Sequence, residues 1–193
     1  GTTHAYIGQE ANAVGVITNL NKSDIVVSNH RCHGHYITHK ENPYALLCEM
    51  MGKEDGLCAG RGGSQHICDD GFFSNGVLGG IMPLAAGLAY SEKFNKTGNI
   101  VVVFIGDGTL GEGVLYETLN IVSKWELPLF IVLENNRYAQ STKIEYTLAG
   151  RISDRFTAFD IGTEEIETFN VIEINNVSVG LIDKVRKTKK PQC

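Results

Sequence analysis

Apolar residues along this 193-residue chain recur with two periods, and the periods alternate. Ala11, Val14, Ile17 and Leu20 return at helical spacing and predict a helix over 10–20. The run Ile25-Val26-Val27 predicts a short strand leading into Asn29-His30-Arg31-Cys32-His33-Gly34-His35. A second helix is expected over 43–51, with Pro43 suited to its first turn. Residues 56–81 are rich in glycine and have no period, so they read as a long functional loop. The pattern then predicts a helix over 83–94, a strand over 100–105, a helix over 113–125 and a strand over 129–134. A polar loop follows, then a short helix over 152–159, a strand over 169–174 and a final helix over 179–187. Strands alternating with helices imply a single α/β domain, doubly wound, with a mostly parallel sheet covered on both faces.

In such sheets ligands bind beyond the C-terminal ends of the strands. Asp107 and Asn136 each end a predicted strand and lie 29 positions apart, the span of one strand-helix-strand unit, so both are expected at one sheet edge. A carboxylate and an amide flanked by glycines suit a small hard cation holding a phosphate against backbone N–H groups. The same segment, Gly106-Asp107-Gly108-Thr109-Leu110-Gly111, is also a literal G-x-G-x-x-G, with Glu134 as the acid a ribose would need. Two features oppose a dinucleotide site. Asp107 inside the glycine loop would repel an unscreened pyrophosphate, and Glu134 lies 28 positions beyond Gly106 rather than the usual ~20. A divalent cation between Asp107 and the phosphates turns that repulsion into coordination.

Charge and cysteines narrow the class further. A net charge of −5 offers no field for a polyanion, so nucleic acid is not an expected partner. The basic run from Lys184 to Lys190 reads as a solvated helix end. Five scattered cysteines without a C-x-x-C pair read as reduced thiols, and no stretch approaches the ~20 apolar residues that span a bilayer; both point to a cytoplasmic protein. His30, His33 and His35 beside Cys32 are too close in sequence to close a zinc tetrahedron without a second ligand pair. The chain begins without Met and stops at Lys190-Pro191-Gln192-Cys193, where such a sheet would receive another strand, so the domain is expected to continue at both ends.

Six segments together carry a family resemblance. They are His4-Ala5-Tyr6-Ile7-Gly8-Gln9-Glu10, Arg31-Cys32-His33-Gly34, Gly60-Arg61-Gly62-Gly63-Ser64-Gln65-His66, Asn75-Gly76 with Pro83-Leu84-Ala85-Ala86-Gly87, the Gly106-Asp107-Gly108 loop, and Asn135-Asn136-Arg137-Tyr138. In this order the chain resembles the alpha subunit of the thiamine-diphosphate-dependent 2-oxo acid dehydrogenases, the decarboxylating component of pyruvate, branched-chain and acetoin dehydrogenase complexes. The resemblance implies magnesium bound by Asp107, the Asn136 side chain and the Tyr138 carbonyl. It implies Gly106, Gly108 and Thr109 at the diphosphate, with Arg31 as a phosphate-facing cation, and Gly76 and Leu78 near the aminopyrimidine ring. It makes His4 an active-site histidine at the reacting end of the cofactor, and His33 either a supporting residue or a loop anchor. His30 stands where most relatives have a tyrosine near the substrate, which leaves a pyruvate-like and an acetoin-like substrate both open.

The resemblance also implies what this chain lacks. The glutamate that activates the cofactor comes from a beta subunit or a fused beta domain, so an alpha2beta2 assembly, with a lipoyl acyltransferase as acceptor, is the expected setting. Two departures accompany it. Asp160-Ile161-Gly162-Thr163-Glu164-Glu165 replaces the family's glycine-proline turn, and a later histidine-containing loop is not in this sequence. A nicotinamide-dependent dehydrogenase and a catalytically silent assembly subunit are the competing expectations. Without the resemblance, Arg31 and His33 read as pins that hydrogen-bond backbone carbonyls.

Overall fold

The computed structural model describes residues 3–193. Helix α1 (Glu10–Ile17) precedes strand β1 (Ile25–Ser28), which is followed by helices α2 (His33–Lys40) and α3 (Pro43–Met50). A short hairpin, β2 (Cys68–Asp69) and β3 (Phe72–Ser74), leads to α4 (Ile81–Asn95) and β4 (Val101–Gly106). A 3-10 turn over Asp107–Gly111 opens onto α5 (Gly113–Lys124), then β5 (Leu129–Glu134). The ribbon of β6 (Tyr138–Ala139) and β7 (Thr142–Lys143) and helices α6 (Ile152–Thr157) and α7 (Val171–Thr188) complete the fold.

The main sheet has the order β2-β3-β1-β4-β5, parallel except for β2. Its strands are apolar on both faces because both faces are covered. Val101, Val103 and Ile105 of β4 pack with α4, α5 and Phe156 of α6, while Val102 and Phe104 point to the opposite core with α1, α2, α3 and α7. This is the doubly wound arrangement the alternating periods predict. β1 lies between β3 and β4, and the helices after β1 and β4 cover opposite faces, so the sheet reverses direction between these two strands. That crevice is where ligands sit in folds of this class. Beyond β5, Gln192 bridges in parallel to Phe130 and Gly162, with Ile131 N–H donating to Gln192 O at 2.9 Å.

Three elements depart from the sequence pattern. The strand expected over 169–174 is instead the entry to α7: Phe169 is 87 % exposed, and Asn170 caps the helix by accepting from Ile172 N–H at 3.0 Å. Its β-branched residues are helical because Ile174, Ser178, Ile182 and Val185 form one buried stripe, and Ile174 sits where a Cβ on Gly15 of α1 would be. Helix α2 hides under a histidine-rich stretch with little apolar periodicity. The loop expected over 56–81 contains the β2–β3 hairpin, whose buried Phe72 pairs with Val26 of β1.

The basic run is only partly solvated. Arg186 turns inward and donates from both terminal nitrogens to the fully buried Asp24, which also takes the backbone N–H of Asn21 at 2.7 Å and of Ile100 at 3.0 Å. This pair ties α7 to the starts of β1 and β4. Among the described residues no helix is long and apolar enough to cross a membrane, and all five cysteines are free thiols. Replacing Arg186 by Ala strands a buried carboxylate. It is expected to cost roughly 2–4 kcal/mol, seen as a fall in Tm of roughly 5–15 °C; an unchanged Tm would assign Asp24 no such role.

Candidate active site

The C-terminal end of β4 carries Asp107. The register pairs Gly106 with Glu134, so the turn after β5 lies beside the turn after β4. Asp107 is 5 % exposed, and its Oδ1 accepts the Gly108 N–H at 3.1 Å while Oδ2 is buried with no hydrogen-bond partner among the described residues. Burial pushes its carboxyl above the usual range, against the pull of the Gly108, Asp107 and Arg137 backbone N–H groups. Across from it, Asn135 and Asn136 each close a turn, accepting from Arg137 N–H at 3.0 Å and Tyr138 N–H at 2.9 Å. Arg137, which follows them, has φ +66°, which reverses the chain into β6. A Cβ on Gly108 would lie 3.2 Å from Ala139 Cβ and 3.4 Å from Leu78 Cδ1, so three separate loops meet there. A Cβ on Gly106, in contrast, would meet open space, and Thr109 is buried in the same turn.

The second half of the site hangs on the Arg31-Cys32-His33-Gly34 segment. Arg31 Nη1 donates to Ala5 O at 2.7 Å, and the bare Gly34 lets the Tyr6 ring lie where a Cβ would be. Both contacts dock the segment that bears His4. His33 Nε2 donates to Ser64 O at 2.9 Å, docking a second loop. The two docked loops meet, with Gln65 Nε2 donating to His4 Nδ1 at 3.1 Å. An amide nitrogen can only donate, so His4 carries its proton on Nε2. The His4 and His30 rings stand edge to face with centroids 4.5 Å apart. Gly76 belongs to the same corner, since a Cβ there would overlap the Gln65 amide oxygen.

Beneath these loops runs a buried polar chain with little signal in the sequence. Ser28 Oγ meets His35 Nδ1 at 2.8 Å, His35 Nε2 meets Tyr6 Oη at 2.9 Å, and Tyr6 Oη donates to Glu134 Oε1 at 2.5 Å. The single Tyr6 proton goes to Glu134, so His35 supplies its own from Nε2. Burial alone would raise the Glu134 carboxyl, but His35, Tyr6 and Asn12 outweigh it and hold the group below the usual range. Among the described residues Glu134 Oε2 is buried without a partner like Asp107 Oδ2, yet the net effects on the two carboxyls are opposite. Glu134 Oε1 is tied to Tyr6 and Asn12 inside the fold, which weighs against the ribose role that the glycine motif suggested. Among the described residues no group of three or more His, Cys, Asp or Glu is arranged for a metal, so His30, Cys32, His33 and His35 form no zinc site.

Residues 1–191 match the family described as Dehydrogenase E1 component. The chain belongs to that family. It is 37 % identical over 195 residues to the alpha subunit of acetoin:2,6-dichlorophenolindophenol oxidoreductase from Cupriavidus necator, covering 99 % of this chain and 59 % of that protein. It is 35 % identical over 196 residues to the pyruvate dehydrogenase E1 component subunit alpha of Zymomonas mobilis, covering 99 % of this chain and 55 % of that one. The chain therefore spans somewhat over half the length of these relatives. Its fold resembles that of a putative thiamin diphosphate-dependent enzyme from Mycobacterium smegmatis, with TM-score 0.65, 17 % identity and coverage of 99 % of this chain and 33 % of that one.

Burial first, then the neighbouring His4 and Arg31, hold His30 down to about 4 against the opposing pull of Glu134. His30 is thus neutral at pH 7, while in the unfolded chain it takes a proton near its ordinary 6.5. Its contribution to stability is complete above about pH 6.5 and is lost as pH falls towards 4. A histidine-resolved NMR titration of the folded protein is expected to give a His30 midpoint near 4; a midpoint above 6 would contradict the assigned environment.

Proposed function

We propose that this E1-family chain binds magnesium thiamine diphosphate at the crevice between β1 and β4, and that with a beta subunit or beta domain it decarboxylates or cleaves a small 2-oxo compound. The observation that carries the proposal is Asp107: a buried carboxylate oxygen without a donor, at the topological switch point, beside open space in front of Gly106. Those residues fit a divalent cation bridging to a diphosphate. Asp107 would supply the anionic ligand, and the Asn136 side-chain oxygen and the Tyr138 carbonyl would supply neutral ones, as suits magnesium. Gly108 and Thr109 lie in the 3-10 turn that Asp107 opens; the Gly108 N–H, which donates to Asp107 Oδ1, would pass to a phosphate oxygen once a cation takes that carboxylate. Arg31 spends one donor on Ala5 O and retains others for an anion.

The cofactor, when bound, supplies the electron sink for cleavage next to a carbonyl. The chain's own residues hold it and move protons. Leu78, against the Gly108 turn, and Gly76 form the wall towards the aminopyrimidine. His4, with Nδ1 occupied by Gln65, presents Nε2–H to the reacting end as a hydrogen-bond donor and proton carrier. His30, kept neutral, lines the same end without adding a charge. His33 acts from behind, through Ser64. Relatives named for pyruvate and for acetoin stand at nearly equal identity, so the substrate is assigned by its shared chemistry: a 2-oxo acid or hydroxyketone whose acyl fragment passes to an acceptor such as a lipoyl group. An alpha2beta2 assembly in the cytoplasm is the setting we assign to it.

Calorimetric titration with thiamine diphosphate, by the chain and by the chain co-expressed with its beta partner, tests this reading. Binding is expected to require magnesium, and Asp107→Ala to weaken it by about 100-fold or more, beyond the 10–100-fold typical of residues behind a metal ligand. Binding of NAD that ignores magnesium and survives loss of Asp107 would overturn it.

A further inference from the structure

Glu49 is a fully buried carboxylate that lies outside the site and pairs with no cation among the described residues. It projects from α3 into the glycine-rich loop that follows. Its Oε1 accepts the N–H of Gly62 at 2.6 Å and of Gly63 at 3.0 Å, and its Oε2 those of Cys58 at 2.6 Å and Gly60 at 2.9 Å. Four backbone donors of one loop thus converge on one side chain. The loop wraps it closely: a Cβ on Gly56 would lie 2.6 Å from Glu49 Cα, Gly60 has φ +72°, and a Cβ on Gly62 would run into the His66 carbonyl. Burial alone would raise this carboxyl, but the four donors outweigh it and hold it below its usual range.

The loop continues directly into the site. Ser64 O takes the His33 Nε2–H at 2.9 Å, and Gln65 spans from His4 Nδ1, at 3.1 Å, to the space in front of Gly76. The hydrogen bonds of Glu49 go to Cys58, Gly60, Gly62 and Gly63 and not to these atoms.

We propose that Glu49 is a positioning residue for His4: it folds residues 58–63 into the one geometry that brings Gln65 to His4 Nδ1 and thereby keeps the His4 proton on Nε2. A carboxylate is needed because its two oxygens accept four N–H bonds at once. A carboxamide would turn its own NH2 towards two of the same donors. The catalytic meaning of this rests on the function proposed above for His4, whereas the structural claim concerns the cofactor-free chain and is tested there.

The experiment is nitrogen-resolved NMR of histidine-labelled full chain without cofactor, comparing wild type with Glu49→Gln, Glu49→Asp, Gln65→Ala and the Glu49→Gln/Gln65→Ala double variant. In wild type His4 is expected as the Nε2–H form. Gln65→Ala and Glu49→Gln are both expected to lose that single-tautomer pattern, and the double variant to go no further than either alone. Glu49→Asp keeps the charge one methylene short and is expected to fall between; it carries the test where Glu49→Gln does not fold. His35, held by Ser28 and Tyr6, serves as the reference and is expected to stay unchanged. A His4 pattern unmoved in Glu49→Asp and Glu49→Gln, or a His35 pattern that changes in step with His4, overturns the proposal. With the beta partner and cofactor present, Glu49→Gln is expected to lower kcat by up to about 100-fold while leaving magnesium thiamine diphosphate affinity within about threefold. Absence of turnover in wild type would count against the function proposed above and leave the tautomer result standing.

Discussion

Leaving a carboxylate oxygen buried without a donor costs about as much as losing a charged hydrogen bond, and folded chains keep few such groups. Among the described residues, Asp107 holds one at the end of β4. The fold relieves it only in part: burial raises its carboxyl, and backbone N–H groups offset that raise incompletely. Everything around Asp107 follows from where β4 lies. Because β1 and β4 are neighbours whose helices leave to opposite faces, their C-terminal turns open a crevice instead of closing on each other. The β4–β5 register then brings the Asn135-Asn136 turn alongside. A cation held there, as proposed, would relieve the cost and would also create the attraction for a diphosphate that the net charge of −5 does not supply.

The reacting end is built by a different principle. Its histidines lie on segments with little regular structure of their own, so their geometry depends on anchors. The start of α2 supplies most of them: Arg31 and Gly34 dock the His4 segment, and His33 docks the Ser64 loop. The buried chain from Ser28 through His35 and Tyr6 to Glu134 fixes the same segment from below. Such networks are stiff when every member is satisfied, and they hold flexible segments to one arrangement. Arg31 pins a loop with one nitrogen, and the function proposed above gives its other donors an anion to meet.

The legible parts of the sequence were those where period and chemistry agree. The strands of β4 and β5 are continuous apolar runs bounded by glycine or asparagine, and α5 buries Leu115, Leu119 and Val122 at helical spacing, so both the sheet and the Asp107–Asn136 edge could be read. α2 could not, because His33 and His35 are polar residues spent on buried hydrogen bonds rather than on a periodic apolar face. The start of α7 alternates like a strand over Phe169 to Ile174, and only the Asn170 cap betrays a helix. Glu134 was legible as an acid at a strand end, but its partners Tyr6 and Asn12 lie more than 120 positions away, where no local pattern reaches. Glu49 was invisible for a related reason: its four partners are backbone N–H groups, which leave no residue signature beyond a cluster of glycines.

The central claim is that the unpartnered oxygen of Asp107 belongs to a cation shared with a diphosphate. Replacing magnesium by paramagnetic manganese and following backbone amide resonances tests it most directly. The account predicts broadening confined to the turns after β4 and β5, at Asp107, Gly108, Thr109, Asn136 and Tyr138, and appearing in full only when thiamine diphosphate is added. Broadening centred instead on the exposed acids Glu164, Glu165 and Glu167, or unchanged by thiamine diphosphate, would contradict it.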